Sequence, residues 1–285
     1  MIRPSEKLWI LGPGASLTYH QEEIKKLEDH NTLAFQRVFP NCVKHFDLIP
    51  SYWFSADPFP WLEGFEFLHA LPSPEKDRFR QMQIIIPEYA TKTFAHFRLF
   101  AGTTPLGRLP GGWERHLELL QALQQDGFNI NVVDCLTTKY MYTNQILKDK
   151  DIFDTEVYMR FMHEKPIFGT VPFDSESVVG DRFKWGLENK LSSNIFPLAF
   201  YLRARELYIA GFDFKGPRFY NNDSRHPWND ETQGKSLHEY PLILIKKWVE
   251  WEQVHGMKIY SVVNADYTLL SDVLPSNPIK GLLQT

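Results

Sequence analysis

Three features of the chain predict an α/β fold with a largely parallel, Rossmann-like sheet and helices on both faces. Short apolar runs recur, as at Leu8–Leu11, Thr32–Phe35 and Ile84–Ile86, and they read as buried strands. Segments of helical character separate several of them, the β-α-β order of α/β proteins. The first run ends in a glycine-rich turn, Gly12-Pro13-Gly14-Ala15-Ser16-Leu17, followed by a polar helix. Strand, glycine turn and helix in that order open a nucleotide-binding unit.

The elements follow in sequence. Residues 18–29 read as the first helix, with Ile24 and Leu27 facing inward. Thr32–Phe35 is the second strand and Tyr52–Ser55 the third, the latter followed by Asp57-Pro58. Ile84–Ile86 ends at Pro87. The stretch from Gly102 to Gly112 is a Gly/Pro/Thr-rich loop, and Trp113–Leu123 a helix. Val132–Leu136 is strand-like, residues 137–160 amphipathic and helical, and Ile167–Thr170 a short strand. Ser192–Leu202 reads as a loop feeding a buried helix, and Glu206–Gly211 as a strand with Phe212-Asp213-Phe214 just past its end. Tyr240–His255 is a helix closed by Gly256, and Lys258–Val263 the last strand. The expectation is one domain over 1–285, with residues 215–240 forming a smaller lid-like loop and helix region.

Composition sets bounds on function. Apolar residues make up 43% of the 285 and charged residues 23%, enough to build a sizeable core. A net charge of -4 gives no basic excess, so no nucleic-acid partner is expected. The two cysteines, Cys42 and Cys135, offer neither a disulfide framework nor metal spacing, which fits a reducing cytoplasm. No secretory apolar run follows Met1, and no stretch is long and apolar enough to span a membrane. The aromatic share is 15%. Most such rings belong in a core, but Tyr52-Trp53-Phe54, Trp61 and Trp113 stand beside loop-like stretches and are candidates for stacking on a base or sugar.

Candidate chemistry gathers where strands end, because ligands of open α/β sheets lie beyond the carboxyl ends of their strands. Gly12 and Gly14 let the backbone turn tightly and approach a ligand, and Ser16 offers either a helix cap or a phosphate hydrogen bond. Gln36 and Arg37 follow the second strand, Ser55 and Asp57 the third, and Asp213 and Phe214 the strand ending at Gly211. The polar loop from Lys215 to Ser236 carries Lys215, Arg218, Tyr220, Arg225, His226 and Lys235, with His238 at the start of the next helix. Cations and a phenol there can stabilise a leaving phosphate, and an imidazole can take a proton from an attacking hydroxyl. Each of these residues also has a plain structural reading as a turn or surface group. Asp149-Lys150-Asp151 matches a metal-binding pattern only inside a charged stretch, so no metal and no other cofactor is expected.

These segments resemble the bacterial sialyltransferases of glycosyltransferase family 42. Gly12-Pro13-Gly14-Ala15-Ser16-Leu17 is similar to the family's opening turn. Lys190-Leu191-Ser192-Ser193-Asn194 resembles its segment ahead of a buried helix, and Leu207–Phe214 its later strand. His238 falls near the catalytic histidine. The resemblance covers the first and last thirds of the chain. It implies a CMP-activated donor, inversion at the anomeric carbon, a glycan acceptor and no metal. His238 would be the base, with Tyr220 and Lys215 at the leaving phosphate. Gly12, Gly14, Ser16, Gln36, Asp57, Lys190, Ser193, Asp213 and Phe214 would contact the donor. Lys190 replaces a family arginine, Asn194 a glycine and Lys215 a tyrosine, which leaves the donor sugar open among sialic acid and related acidic sugars. Location at the inner face of the membrane and homo-oligomer formation also stay open. Two other readings remain at this stage: a pterin pyrophosphokinase-like enzyme using ATP and magnesium, and a nucleotide-binding protein without activity.

Overall fold

The computed structural model describes residues 6–55, 58–91, 112–133, 195–213, 219, 245, 246, 249 and 257–283. Seven strands form one sheet: β1 (Lys7–Leu11), β2 (Thr32–Phe35), β3 (Tyr52–Phe54), β4 (Gln83–Pro87), β5 (Asn129–Val133), β6 (Glu206–Ala210) and β7 (Lys258–Ser261). Their order is β5-β4-β3-β2-β1-β6-β7. The pairs β1–β2, β1–β6, β4–β5 and β6–β7 are all parallel. The α/β, Rossmann-like fold expected from the sequence is therefore present. Strand numbering descends to β1 and then jumps to β6, so the order reverses between β1 and β6.

Contacts divide the chain into two compact units, one built on Trp53–Tyr201 and the other on Arg3–Tyr52 with Leu202–Thr285. In the second unit β1 is an interior strand, between β2 and β6. Leu8, Ile10 and Leu11 are fully buried and Trp9 nearly so, as a parallel strand covered on both faces requires. Parallel register sets Trp9 beside Tyr208, and Tyr208 beside Tyr260. The rings stack across the three strands at 4.7 and 5.6 Å between centroids. The first helix departs from the single segment expected over 18–29. It begins at Ser16 and breaks into α1 (Ser16–Tyr19), α2 (Gln21–Lys25) and a 3₁₀ turn at Lys26–Asp29. The break lies at His20, whose backbone (φ -120, ψ 29) is not helical. Ile24 and Leu27 are buried as expected. A helix that the sequence reading passed over, α3 (Val38–Phe46), follows β2. Its backbone is extended at Phe39 (φ -91, ψ 132), so the regular turns begin at Pro40, a residue that disguises the helix but is tolerated in a first turn. The buried Cys42 thiol is pushed up to about 12 by desolvation, which leaves it inert as a nucleophile. β7 ends at Ser261, two residues sooner than expected, and leads into 3₁₀ turns at Ala265–Tyr267 and Leu270–Asp272 and a closing helix α8 (Ile279–Leu282).

Among its described residues before 126, the first unit holds the helices α4 (Pro58–Ala70), α5 (Ser73–Phe79) and α6 (Gly112–Gln125). Helix α4 buries Trp61, Leu62, Phe65 and Leu68 on one face. Gly64 sits where a Cβ would meet the Trp53 indole at 3.0 Å or less, so only glycine lets the helix pack this closely. The Trp61 indole N–H donates to the Ser55 carbonyl at 2.7 Å. Tyr52, Trp53, Phe54 and Trp61 are thus core rings rather than stacking platforms, each at most 1% exposed. The side chain of Trp113 lies outside the described residues, as do the loop over 102–111, the segments 137–160 and 167–170, and Cys135. β5 starts at Asn129, three residues ahead of the expected strand. Later in this unit, α7 (Phe196–Tyr201) is the buried helix that the sequence placed over Ser192–Leu202. Among the described residues no helix is long and apolar enough to cross a membrane.

His116 on α6 is buried between Phe65 and Trp61, and its Nε2 lies 2.7 Å from the Ala90 carbonyl oxygen. Burial pushes its imidazole from 6.5 down to about 4. The unfolded chain takes up this proton near pH 6.5, while the folded chain refuses it until about pH 4. The contribution is complete above pH 6.5 and is lost as pH falls toward 4, about 3 kcal/mol over that window. Replacing His116 by Phe keeps a ring against Phe65 and removes the proton. Urea unfolding should then depend less steeply on pH between 4 and 6.5 in His116→Phe than in the wild type. Identical slopes would exclude His116 as the source.

Candidate functional site

The reversal of strand order brings the exits of β1 and β6 side by side, and both belong to the second unit. The β-ladder continues one step past the strands, with the Gly12 N–H donating to the Ala210 carbonyl at 2.7 Å. The Gly14 N–H then donates to the Gly211 carbonyl at 2.5 Å. This approach requires glycine on both sides. A Cβ on Gly12 would lie 2.5 Å from the Gly211 carbonyl oxygen, and one on Gly211 would lie 2.6 Å from that of Gly12. Gly211 also has φ +75, a left-handed conformation that favours glycine. The pattern Gly12-x-Gly14 thus serves first to let two chain segments cross.

Asp213 closes the crossing. Its Oδ2 accepts the Ser16 backbone N–H at 2.8 Å, and its Oδ1 accepts the Ser16 hydroxyl at 2.5 Å. Ser16 is 1% exposed and Asp213 4%. A buried carboxylate needs such donors to offset its desolvation, and a backbone N–H at a helix start is a suitable one. The sequence offered the Ser16 amide and hydroxyl to a phosphate; in the folded chain both are held by Asp213. Two further bonds fasten the β6 exit: Leu269 N–H to the Asp213 carbonyl at 2.9 Å, and the Thr268 hydroxyl to the Phe212 carbonyl at 3.2 Å. The Phe219 N–H donates to the Pro13 carbonyl at 2.9 Å, and its ring lies 5.1 Å from that of Phe46.

Gln36 leaves β2 with φ 56, a conformation that non-glycine residues adopt at a cost. It is half-buried and follows Phe35, whose ring lies 6.3 Å from that of Phe212. Arg37, also half-buried, immediately precedes α3 and its carbonyl accepts from the Asn41 side-chain amide at 2.6 Å. Of the residues singled out in the sequence, the fold therefore joins Gly12, Gly14, Ser16 and Asp213, and sets Gln36 at the exit of the neighbouring strand. Asp57, Lys190, Ser193, Phe214, Lys215, Tyr220 and His238 lie outside the described residues, as does the lid-like region over 215–240 apart from Phe219. Sequence reading missed Gly211 as the second half of the crossing, although its place at the end of an apolar strand was a usable signal. Thr268 and Leu269 carried none, being some fifty residues from their partners.

No protein-family model matches this chain, and no curated protein matches it. Among solved structures it is similar to the sialyltransferase CstII from Campylobacter jejuni, determined in complex with a substrate analogue, CMP-3FNeuAc. The alignment covers 96% of this chain and 86% of that one at 13% identity, with a TM-score of 0.43.

The crossing makes a stability prediction. A Cβ on Gly14 would lie 2.7 Å from the Gly211 carbonyl oxygen and overlap the Asp213 carboxylate, so Gly14→Ala should cost about 1–3 kcal/mol. Asp213→Ala removes the acceptor of two buried donors and should cost a similar amount, about 1–3 kcal/mol. Asp213→Asn retains one acceptor oxygen and should cost less than Asp213→Ala. Urea midpoints unchanged in Gly14→Ala and Asp213→Ala would contradict this packing.

Proposed function

We propose that this protein is an inverting glycosyltransferase that moves sialic acid, or a related acidic sugar, from a CMP-activated donor to a glycan hydroxyl. The observation that carries the reading is the Gly12–Ser16 turn, built against the Gly211–Asp213 exit where the strand order reverses. Ligands of open α/β sheets bind at such a reversal. A fold of this kind hosts many chemistries. The choice among them comes from the order of motifs along the chain: the opening turn, Lys190–Asn194, Leu207–Phe214 and His238.

In this reading the nucleoside part of the donor lies along the turn, because the polar groups of Ser16 are already engaged by Asp213. Gln36, Asp57, Ser193 and Phe214 complete the donor contacts. Lys190, Lys215 and Tyr220 answer the negative charge of the phosphate, as charged and phenolic donors in place of a metal. His238 takes the proton from the acceptor hydroxyl. The freed oxygen forms a bond to the anomeric carbon from the face opposite the phosphate, the carbon–oxygen bond to phosphate breaks, and CMP departs with that electron pair.

Ligand binding to the folded state raises the melting temperature by mass action. CMP should therefore stabilise the protein more than UMP, AMP or GMP do at equal concentration, and an equal response to all four would remove the cytidine assignment. His238→Ala should lower CMP release in the presence of donor and glycan acceptor by about 100-fold. Turnover at the wild-type rate in that variant would remove the base.

A further inference from the structure

Among the described residues, three large apolar side chains stand well exposed: Tyr19, Val132 and Tyr267. Two of the three are stacked on each other. The rings of Tyr19 and Tyr267 lie 4.2 Å apart between centroids and 19° from parallel. Tyr19 is 60% exposed and Tyr267 36%, so the pair presents aromatic surface to solvent rather than sealing a core.

Their place in the fold is specific. Tyr19 is three residues past Ser16 on α1, a spacing that puts the two on the same side of a helix. Tyr267 ends the 3₁₀ turn at Ala265–Tyr267, whose start is capped by the Asn264 side chain accepting from the Asp266 N–H at 3.1 Å. The next two residues, Thr268 and Leu269, bond to the carbonyls of Phe212 and Asp213. Both rings are thus anchored within a few residues of the Ser16–Asp213 junction, one from each side.

We propose that the Tyr19–Tyr267 pair is a platform for a neutral pyranose ring, the acceptor sugar of the transfer reaction. The sugar lays the C–H groups of one face on a tyrosine ring, and its hydroxyls meet polar groups at the edge. This assignment rests on the transferase reading for the sugar's role, but the platform itself can be tested without any donor. Charge selects the class of ligand. The stretch from Asn264 to Asp272 carries Asp266 and Asp272 and no cation. On α2, Glu22 is paired with Lys25 and Glu23 with Lys280. The lysines here lie against carboxylates, and burial lowers the pKa of the His20 imidazole beside Tyr19. These segments therefore favour a neutral ligand over a phosphate or an anionic lipid headgroup, and carboxylate and amide oxygens suit the O–H donors of a sugar.

Saturation-transfer NMR with lactose, maltose and cellobiose tests the platform directly. At least one disaccharide should receive saturation from the protein, with the effect falling about fivefold in Tyr19→Ala and in Tyr267→Ala and persisting in Tyr19→Phe. Both positions are exposed, and urea midpoints near the wild-type value would establish that the variants fold. No transfer to any of the three sugars, or full transfer in the folded alanine variants, overturns the proposal. A CMP melting shift measured alongside separates the two readings. Sugar binding at the pair without a CMP response keeps the platform and removes the transferase. A CMP response without sugar binding does the reverse.

Discussion

The organisation of the second unit depends on a close crossing of two backbones. Gly12 and Gly211 approach until neither can carry a side chain, and the Asp213 carboxylate then holds the crossing from one end by taking both polar groups of Ser16. A carboxylate that is 4% exposed gains little from water, so its stability rests on those donors and on the positive end of the short helix α1. The crossing lies where the strand order reverses, with β1 paired to β2 on one side and to β6 on the other.

That constraint changes how the glycine-rich turn is understood. Such a turn is commonly read as a cradle of free amides awaiting an anion. In this chain the anion at the start of α1 is supplied internally, from a residue 197 positions away. The turn is thereby held in one shape before any ligand arrives, which favours recognition by a preformed surface. The same carboxylate disfavours a second negative charge beside it. On the transferase reading proposed above, a donor nucleotide would meet the turn with its uncharged part and its phosphate would need cations from elsewhere in the chain.

The crossing also ties neighbouring segments into one local framework. Leu269 and Thr268 fasten the segment after β7 to the β6 exit, and through it to Ser16. Tyr19 and Tyr267 are exposed, yet each is carried by a segment that is itself hydrogen-bonded to this junction. Rings on so constrained a support lose little freedom when a flat ligand settles on them, which is why aromatic residues suit exposed recognition surfaces.

The sequence by itself determined the strands and their class. Leu8–Leu11, Thr32–Phe35 and Glu206–Ala210 are uniformly apolar or nearly so, and burial on both faces of a parallel sheet follows from that pattern alone. It also placed a glycine-rich turn after β1, although the steric need for Gly12 and Gly14 comes from Gly211, Phe212 and Asp213, far along the chain. Helices α3, α4 and α5 were less legible because Pro40, Pro58, Pro60, Pro72 and Pro74 near their starts resemble breaks. The strand order, the burial of Tyr52, Trp53, Phe54 and Trp61, and the engagement of Ser16 by Asp213 were decided only by the tertiary structure. Each depends on residues distant in sequence that meet after the chain has paired its strands, and local pattern holds no record of which partner a side chain will find.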